Sequence, residues 1–173
     1  MSGFTPIRVA LLTSADAPAL EPLLGDPNRG ALYDIVCAAD YSPESREALR
    51  VCAAFADATP LAKIIVVRCL DVDTPQEAAD EIVRLQQWTP PEIVDRCQYK
   101  LLPADHPAEQ VVELAKLVHA DLIAAGCAGY RSTAEVMRGT TAERIAERSD
   151  CPVLVMNEMS VVAANAEAEL VTA

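Results

Sequence analysis

The chain has 173 residues, a suitable length for one compact domain. Its formal net charge of −12 argues against a general nucleic-acid binder, which needs clustered Lys and Arg, and against docking on an anionic membrane. With 51% hydrophobic but only 4% aromatic residues, its core is built mostly from Ala, Val, Leu and Ile, a mixture suited to parallel strands under Ala-rich helices.

No run is apolar for long enough to span a bilayer, and “MSGFTPIRVALLTSADAP” lacks a basic segment followed by a long apolar one. A cytoplasmic location is therefore expected. Six cysteines (Cys37, Cys52, Cys69, Cys97, Cys127 and Cys151) form no CxxC or metal-type pair and sit mostly inside apolar runs. They read as small buried thiols in a reducing compartment, with Cys127 set apart by its place in a glycine-containing loop.

Five apolar runs alternate with helical patterns from residue 32 onward. “LYDIVCAAD” reads as a first buried strand. “SPESREALRVCAAFADA” follows, with Ser42 as N-cap, Pro43 at the first helical position, and Ala48, Val51, Cys52 and Phe55 on one face. “AKIIVVRCLD” is a second, β-branched strand. “TPQEAADEIVRLQQW” opens with Thr74, Pro75 and Glu77, a capping-box pattern, and stops before Pro90-Pro91, with Trp88 as a packing residue at its end. “RCQYKLL” alternates polar and apolar residues, as expected of an edge strand.

His106 precedes Pro107 at the start of “HPAEQVVELAKLVHA”, a helix with Val111, Leu114, Ala115 and Val118 on one face. “DLIAAG” is a short central strand, “TTAERIAERSD” a helix and “CPVLVMN” a last strand. The order βαβαβαβαβ predicts an α/β fold, a doubly wound and mostly parallel five-stranded sheet with right-handed crossovers and helices on both faces. Residues 1–31 are an extension in which “PIRVALLTS” suggests an extra strand. Residues 158–173 are an Ala- and Glu-rich tail.

The chemistry is concentrated in “GCAGYRSTAEVMRGTTAER”, between the fourth strand and the next helix. In a doubly wound sheet, ligands bind beyond the carboxyl ends of strands. Gly126 and Gly129 permit positive φ and leave room for a close ligand. Gly139 leads into Thr140 and Thr141 at a helix start, where unpaired amides and the helix dipole favour an anion. Thr140 with Glu143 is also a capping box that needs no ligand, and a Thr140 hydroxyl so engaged is less free to meet a phosphate. Arg131, Arg138, Arg144 and Arg148 cluster near this loop, but Glu135, Glu143 and Glu147 interleave with them, as on a solvated helix face. Two histidines provide no confident Ser-His-Asp set, and no Walker-type GxxxxGK[ST] poises a lysine on a γ-phosphate. Binding, with at most slow hydrolysis, is expected rather than fast catalysis.

The spacing Gly-x2-Gly-x9-Gly-Thr between a buried strand and a helix, followed by “CPVLVM”, resembles the nucleotide loop of the universal stress protein family. “YDIVCAADYSPESREALRVCAAFA”, “AKIIVVRCLD” and “HADLIAAG” are similar to that family's first, second and fourth strands with their neighbours, so the likeness covers about residues 32–157. It implies strand order 3-2-1-4-5, homodimers through the last strand, and ATP, with Mg²⁺, as ligand of a nucleotide-responsive stress or regulatory protein with an unknown protein partner. It implies that Asp40 meets the adenine end and that the Cys69 backbone lines the adenine pocket. Gly126 and Gly129 would approach ribose and phosphates. Gly139, Thr140 and Thr141 would hold the phosphates. Without the resemblance, Asp40 is a turn or capping residue before “YSPES”.

Two departures stand out: Cys127-Ala128 replace more polar residues between the first two glycines, and “RCLD” ends the second strand in place of a His-Val-like pair. The first of these supports an alternative, a nucleotide-free dimerisation or adaptor module with a vestigial loop. A minor alternative is a formyltransferase-like enzyme, suggested by a faint likeness of “IRVALLTSADAPALEPLL” to the opening of folate-dependent formyltransferases.

Overall fold

The computed structural model describes residues 34–58, 62–127 and 140–157. Short apolar runs become strands and the segments between them, three of the four opened by Pro, become helices, in the order β1 (Asp34–Ala38), α1 (Pro43–Ala58), β2 (Lys63–Cys69), α2 (Pro75–Trp88), a 3₁₀ turn (Val94–Arg96), β3 (Cys97–Leu102), α3 (Pro107–Leu117), β4 (Leu122–Cys127), α4 (Thr141–Arg148) and β5 (Val153–Asn157). The sheet is parallel throughout, in the order β3-β2-β1-β4-β5. The half-polar β3 and the apolar β5 take the two edges, as the alternation of the first predicts.

The period-two alternation of the strands divides the core in two. Ile35, Cys37, Ile64, Val66, Leu122, Ala124, Leu154 and Met156 pack under α1 and α2, with Ala48, Val51, Cys52 and Phe55 of α1 all buried there. Val36, Ile65, Val67, Ile123, Ala125 and Val153 face α3 and α4. The predicted face of α3 is buried at Val111, Leu114 and Ala115, while the helix stops at Leu117 and leaves Val118 half-buried as its C-cap.

The helix starts follow the predicted capping chemistry with one correction. Ser42 Oγ accepts from Ser45 N at 3.1 Å ahead of α1. Thr74 Oγ1 accepts from Glu77 N at 3.1 Å, but the Glu77 carboxylate passes Thr74 and takes Asp73 N at 2.9 Å. The extended backbone at Thr74 leaves the preceding amide within reach of a four-atom side chain, so the expected reciprocal box is not closed there. His106 is the N-cap of α3 in a left-handed conformation, φ 51°, and Trp88 ends α2 edge-on to Tyr41 with ring centroids 5.7 Å apart. Cys37 and Cys52 are buried as expected; Cys69, Cys97, Cys127 and Cys151 are half-buried, and all six are free thiols. The proposed extra strand in residues 1–31 and the tail 158–173 lie outside the described residues.

Candidate functional site

Strand order reverses at β1: the chain leaves it for β2 on one side and later returns through β4 on the other. The crossovers diverge there, so the carboxyl ends of β1 and β4 cannot both be covered, and a crevice opens. A cavity of about 230 Å³ occupies that place. The strand ends contribute Ala38–Asp40, Val67–Cys69 and Ala125–Gly126, and the helix starts contribute Pro107 and Val111 from α3 and Thr141, Ala142 and Ile145 from α4. Its floor is aliphatic. Among the described residues, the charged groups that line it are Asp40 and Arg68.

Of the predicted site residues, Asp40, Cys69, Gly126 and Thr141 are brought together around this cavity. Thr140 stands just behind it as the N-cap of α4. Gly129 and Gly139 lie outside the described residues, as do Ala128, Arg131, Glu135 and Arg138. The lining positions not predicted as site residues include Ala38, Ala39, Val67 and Ala125 at the strand ends and Pro107, Val111, Ala142 and Ile145 on the helices. They look like ordinary core or turn positions, and only the docking of α3 and α4 beside the strand ends encloses a cavity between them.

Asp40 is exposed at the rim and is held by a turn: its Oδ1 accepts from Ser42 N at 2.9 Å and from Ser42 Oγ at 2.5 Å. The turn reading of this residue is thus realised, and a carboxylate, with two oxygens and several lone pairs, keeps acceptor capacity beyond it. The next residue, Tyr41, has φ 66°, an uncommon conformation for a bulky side chain. It swings the chain from β1 into α1.

A polar cluster holds that turn. The Tyr41 hydroxyl donates to Glu81 Oε1 at 2.6 Å, and the guanidiniums of Arg68 and Arg84 lie 4.5 and 4.7 Å from the Tyr41 ring centroid. Arg68 also donates from Nε to Glu81 at 3.1 Å and from a terminal nitrogen to Ala39 O at 3.3 Å. Burial, the bond to Glu81 and the Glu81 charge push the Tyr41 hydroxyl up to about 12, against the opposing pull of the two arginines. Arg68, a departure from the family pattern, is thereby fixed at the cavity wall.

Gly126 has a reason that the sequence does not display. A Cβ built on it would lie 2.3 Å from Ser45 N, 2.7 Å from Glu44 C and 2.8 Å from Ser45 Cα. Its position in the β4 alternation matches that of Leu122 and Ala124, which face α1. The missing side chain therefore makes room for the first turn of α1, on the sheet face opposite α3 and α4, and only the Gly126 backbone is available to the cavity.

At α4 the capping box is fully formed. Glu143 N donates to Thr140 Oγ1 at 3.2 Å and Thr140 N donates to Glu143 Oε2 at 2.8 Å. Cys127 Sγ donates to Thr140 Oγ1 at 3.5 Å, so the cysteine that replaces a more polar residue also engages this hydroxyl. Arg144 and Arg148 are not on a merely solvated face. Both pair with Glu109 of α3, Arg144 at 2.9 and 3.2 Å, and they clasp α3 to α4. The backbone amide of Glu109 and these two guanidiniums hold its carboxylate below the ordinary range.

Cys69 offers a probe of the cavity. Burial pushes its thiol above the usual value, against the pull of Arg68, and its Sγ faces Pro107 O at 3.8 Å. The thiolate is the reactive form, so iodoacetamide labelling at pH 8 will be slower at Cys69 than at a free cysteine and will rise with pH. If the cavity takes the nucleotide that the resemblance implies, saturating adenosine or ATP is expected to slow it further. Peptide mass spectrometry of the labelled protein measures both, and nucleotide binding with unaltered Cys69 labelling would place the ligand elsewhere.

The comparisons with known proteins agree with this architecture. The pattern that defines the Universal stress protein family matches residues 33–157. Universal stress protein MJ0531 of Methanocaldococcus jannaschii is 38% identical over 52 residues, 30% of this chain and 31% of that protein, so the match spans about a third of the relative's length. Among solved structures, a universal stress protein in complex with cAMP is 24% identical with a TM-score of 0.59, covering 74% of this chain and 98% of the other. A universal stress protein from Archaeoglobus fulgidus is 23% identical with a TM-score of 0.55, covering 73% and 99%. UspA from Lactobacillus plantarum is 18% identical with a TM-score of 0.56, covering 74% and 99%. At these identities the structural likeness establishes the fold. Matched over most of its length by the family pattern, the chain belongs to the universal stress protein family.

Proposed function

We propose that this protein binds an adenine nucleotide, with Mg-ATP as the ligand of first interest, in the crevice at the carboxyl ends of β1, β2 and β4, and that occupancy biases a homodimer or a partner surface in a regulatory role. The observation that carries this reading is the cavity itself: about 230 Å³, aliphatic on its floor, with Asp40 at its rim and the start of α4 at its side. An apolar slot with a few polar groups at its edge suits a nucleobase and ribose. The amides at the start of α4 and the segment 128–139, which lies outside the described residues, are the parts left for the phosphates. The solved relative named as a complex with cAMP supports a nucleotide as the ligand class.

Mg²⁺ would arrive with the phosphates, as the family resemblance implies. Nucleotide can bias a dimer only if it binds two states with different affinity. The apolar edge strand β5 is the surface we assign to the dimer.

The test is release of bound small molecules. Freshly purified protein is heat-denatured and the supernatant is run on ion-exchange chromatography beside ATP, ADP and AMP, while stripped protein is titrated with Mg-ATP by calorimetry. A near-stoichiometric adenine nucleotide is expected. Ligand at 100 times Kd adds about 2.7 kcal/mol of stability, which a thermal-shift assay reads directly. A second reading, a nucleotide-free adaptor, draws support from the closed cap on α4 and from the packing role of Gly126. An empty supernatant together with indifference to Mg-ATP would establish that reading. The stretch behind the formyltransferase likeness lies outside the described residues, and a folate analogue in the same calorimeter tests that reading.

A further inference from the structure

We propose that residues 6–14 seat as a sixth strand against the edge of β5, that the chain between them and β1 packs on the flank of α1 that looks over β5, and that a second copy reaches β5 only by displacing them. Among the described residues β5 ends the sheet, and its run Val153, Leu154, Val155 and Met156 carries no charge or proline to discourage further pairing. Two carboxylates mark the flank above it. Glu44, Glu47 and Val51 follow the three- and four-residue spacing of one side of α1. Arg96, next to β3, reaches the far end of α1 from the other side, at Ala56 O and, at 3.0 Å, at Asp57. Since α1 lies on β4 and β5, the side of Glu44 looks out over β5. Glu44 is 7% exposed and Glu47 3%, yet Glu44 Oε2 and Glu47 Oε1 meet no donor among the described residues. The second oxygen of Glu47 takes Arg50 at 3.3 Å. A buried carboxylate oxygen without a donor is costly, so this flank is built to be met by a cation.

Strand order says which segment arrives there. The crossovers from β1 to β2 and from β2 to β3 step across the sheet in one direction and carry α1 and α2 on one face. Those from β3 to β4 and from β4 to β5 step the other way and carry α3 and α4 on the opposite face. A parallel strand outside β5 that leads into β1 steps in the first direction. Its right-handed crossover therefore falls on the face of α1, beside Glu44 and Glu47. The sequence supplies the parts. “PIRVALLTS” is the strand-like run, and residues 15–33 exceed the about a dozen residues that a parallel crossover needs. Arg8 is the cation within that run, shares a side with Ala10 and Leu12 in strand alternation, and is the donor for the two carboxylates.

The test is hydrogen–deuterium exchange of the full chain, read by peptide mass spectrometry, with the mass in solution measured by light scattering. No nucleotide is added, so the outcome does not depend on what the cavity binds. In the wild type, residues 7–13 are expected to exchange as slowly as β5, in a monomer. Arg8→Glu sets a like charge beside Glu44 and Glu47 and is expected to speed exchange of residues 7–13 by at least about tenfold. Arg8→Glu combined with Glu44→Arg is expected to restore most of the protection. Val9→Pro with Ala10→Pro removes a ladder donor on either side of the strand and is expected to free β5 for a second copy, so that this variant becomes a dimer. If it does not fold, the charge reversal at Arg8 and Glu44 carries the test. Wild-type residues 7–13 that exchange at the rate of an unstructured peptide overturn the proposal. So does a wild-type dimer in which β5 is protected and residues 7–13 are not, which places the second copy on this edge. Protection of residues 7–13 that Arg8→Glu leaves unchanged overturns it as well.

Discussion

Gly126→Ala is expected to destabilise the protein by at least about 3 kcal/mol, a drop in melting temperature of about 10 °C, or to prevent folding altogether. The atoms that an added Cβ meets are the Ser45 nitrogen and α-carbon and the Glu44 carbonyl carbon, all at 2.8 Å or closer. A crowded side chain can change rotamer, but backbone in the first turn of a helix cannot step aside without moving the helix. That helix buries Leu49, Val51, Cys52, Phe55 and Ala56 against the sheet, so a shift of α1 loosens one half of the core.

Because the clash is with backbone, Ser45→Gly in the same chain will not rescue it. Thermal unfolding followed by circular dichroism measures the effect. A Gly126→Ala protein with the wild-type melting temperature would mean that α1 does not approach β4 as described. The contrast with Gly139, the residue in the glycine spacing that leads into Thr140, sharpens the point. Gly139→Val is expected, on the family resemblance, to abolish nucleotide binding while the fold survives.

The second large effect is expected at Glu81, where substitution by Ala costs about 3 kcal/mol. This carboxylate is buried, its side chain about 10% exposed, and it holds Arg68 at 3.1 Å and the Tyr41 hydroxyl at 2.6 Å. Removing it leaves a largely buried guanidinium and a phenol without their partner, and the uncompensated charge costs more than the pair itself contributes. The loss is not confined to stability. Tyr41 turns the chain at φ 66° directly after Asp40, and Arg68 lines the cavity. Nucleotide affinity is therefore expected to fall with stability in Glu81→Ala.

The same cluster predicts a pH dependence whose sign can be worked out. The Tyr41 pKa is raised in the folded state to about 12, so the unfolded chain releases this proton first as pH rises above 10. The contribution is fully present below pH 10 and is lost as pH climbs through 12. Tyr41→Phe removes this dependence while keeping the ring between Arg68 and Arg84. Denaturant titrations of both proteins across that window measure the difference. Curves of equal slope against pH would show that the Tyr41–Glu81 bond is not made in solution.

The order and type of the elements were legible in the sequence because the information is local. Apolar runs of strand length, prolines at helix starts and cap residues such as Ser42, Thr74 and Thr140 act within a few residues of themselves. The alternation of strands and helices, joined to the rule of right-handed crossovers, then restricted the sheet to a parallel doubly wound form, and the likeness to the universal stress proteins selected the order 3-2-1-4-5 that is observed. Even so, the reach of Glu77 to Asp73 instead of Thr74 was not legible, since the pattern of letters is the same in an open and a closed capping box.

What the sequence by itself determined is the scaffold: the strands, the helices, the two apolar faces of the sheet and its carboxyl-end rim. Only the tertiary structure decided what Gly126 makes room for, which carboxylate Arg68, Tyr41 and Arg84 share, and that Arg144 and Arg148 clasp Glu109. Apart from Arg84 and Glu81, three residues apart in α2, these pair residues from different elements, far apart along the chain. Periodicity reports which side of an element is apolar. Which neighbour stands across from that side is set by strand order and crossover, and these bring the end of β4 against the start of α1 and the end of β2 against α2.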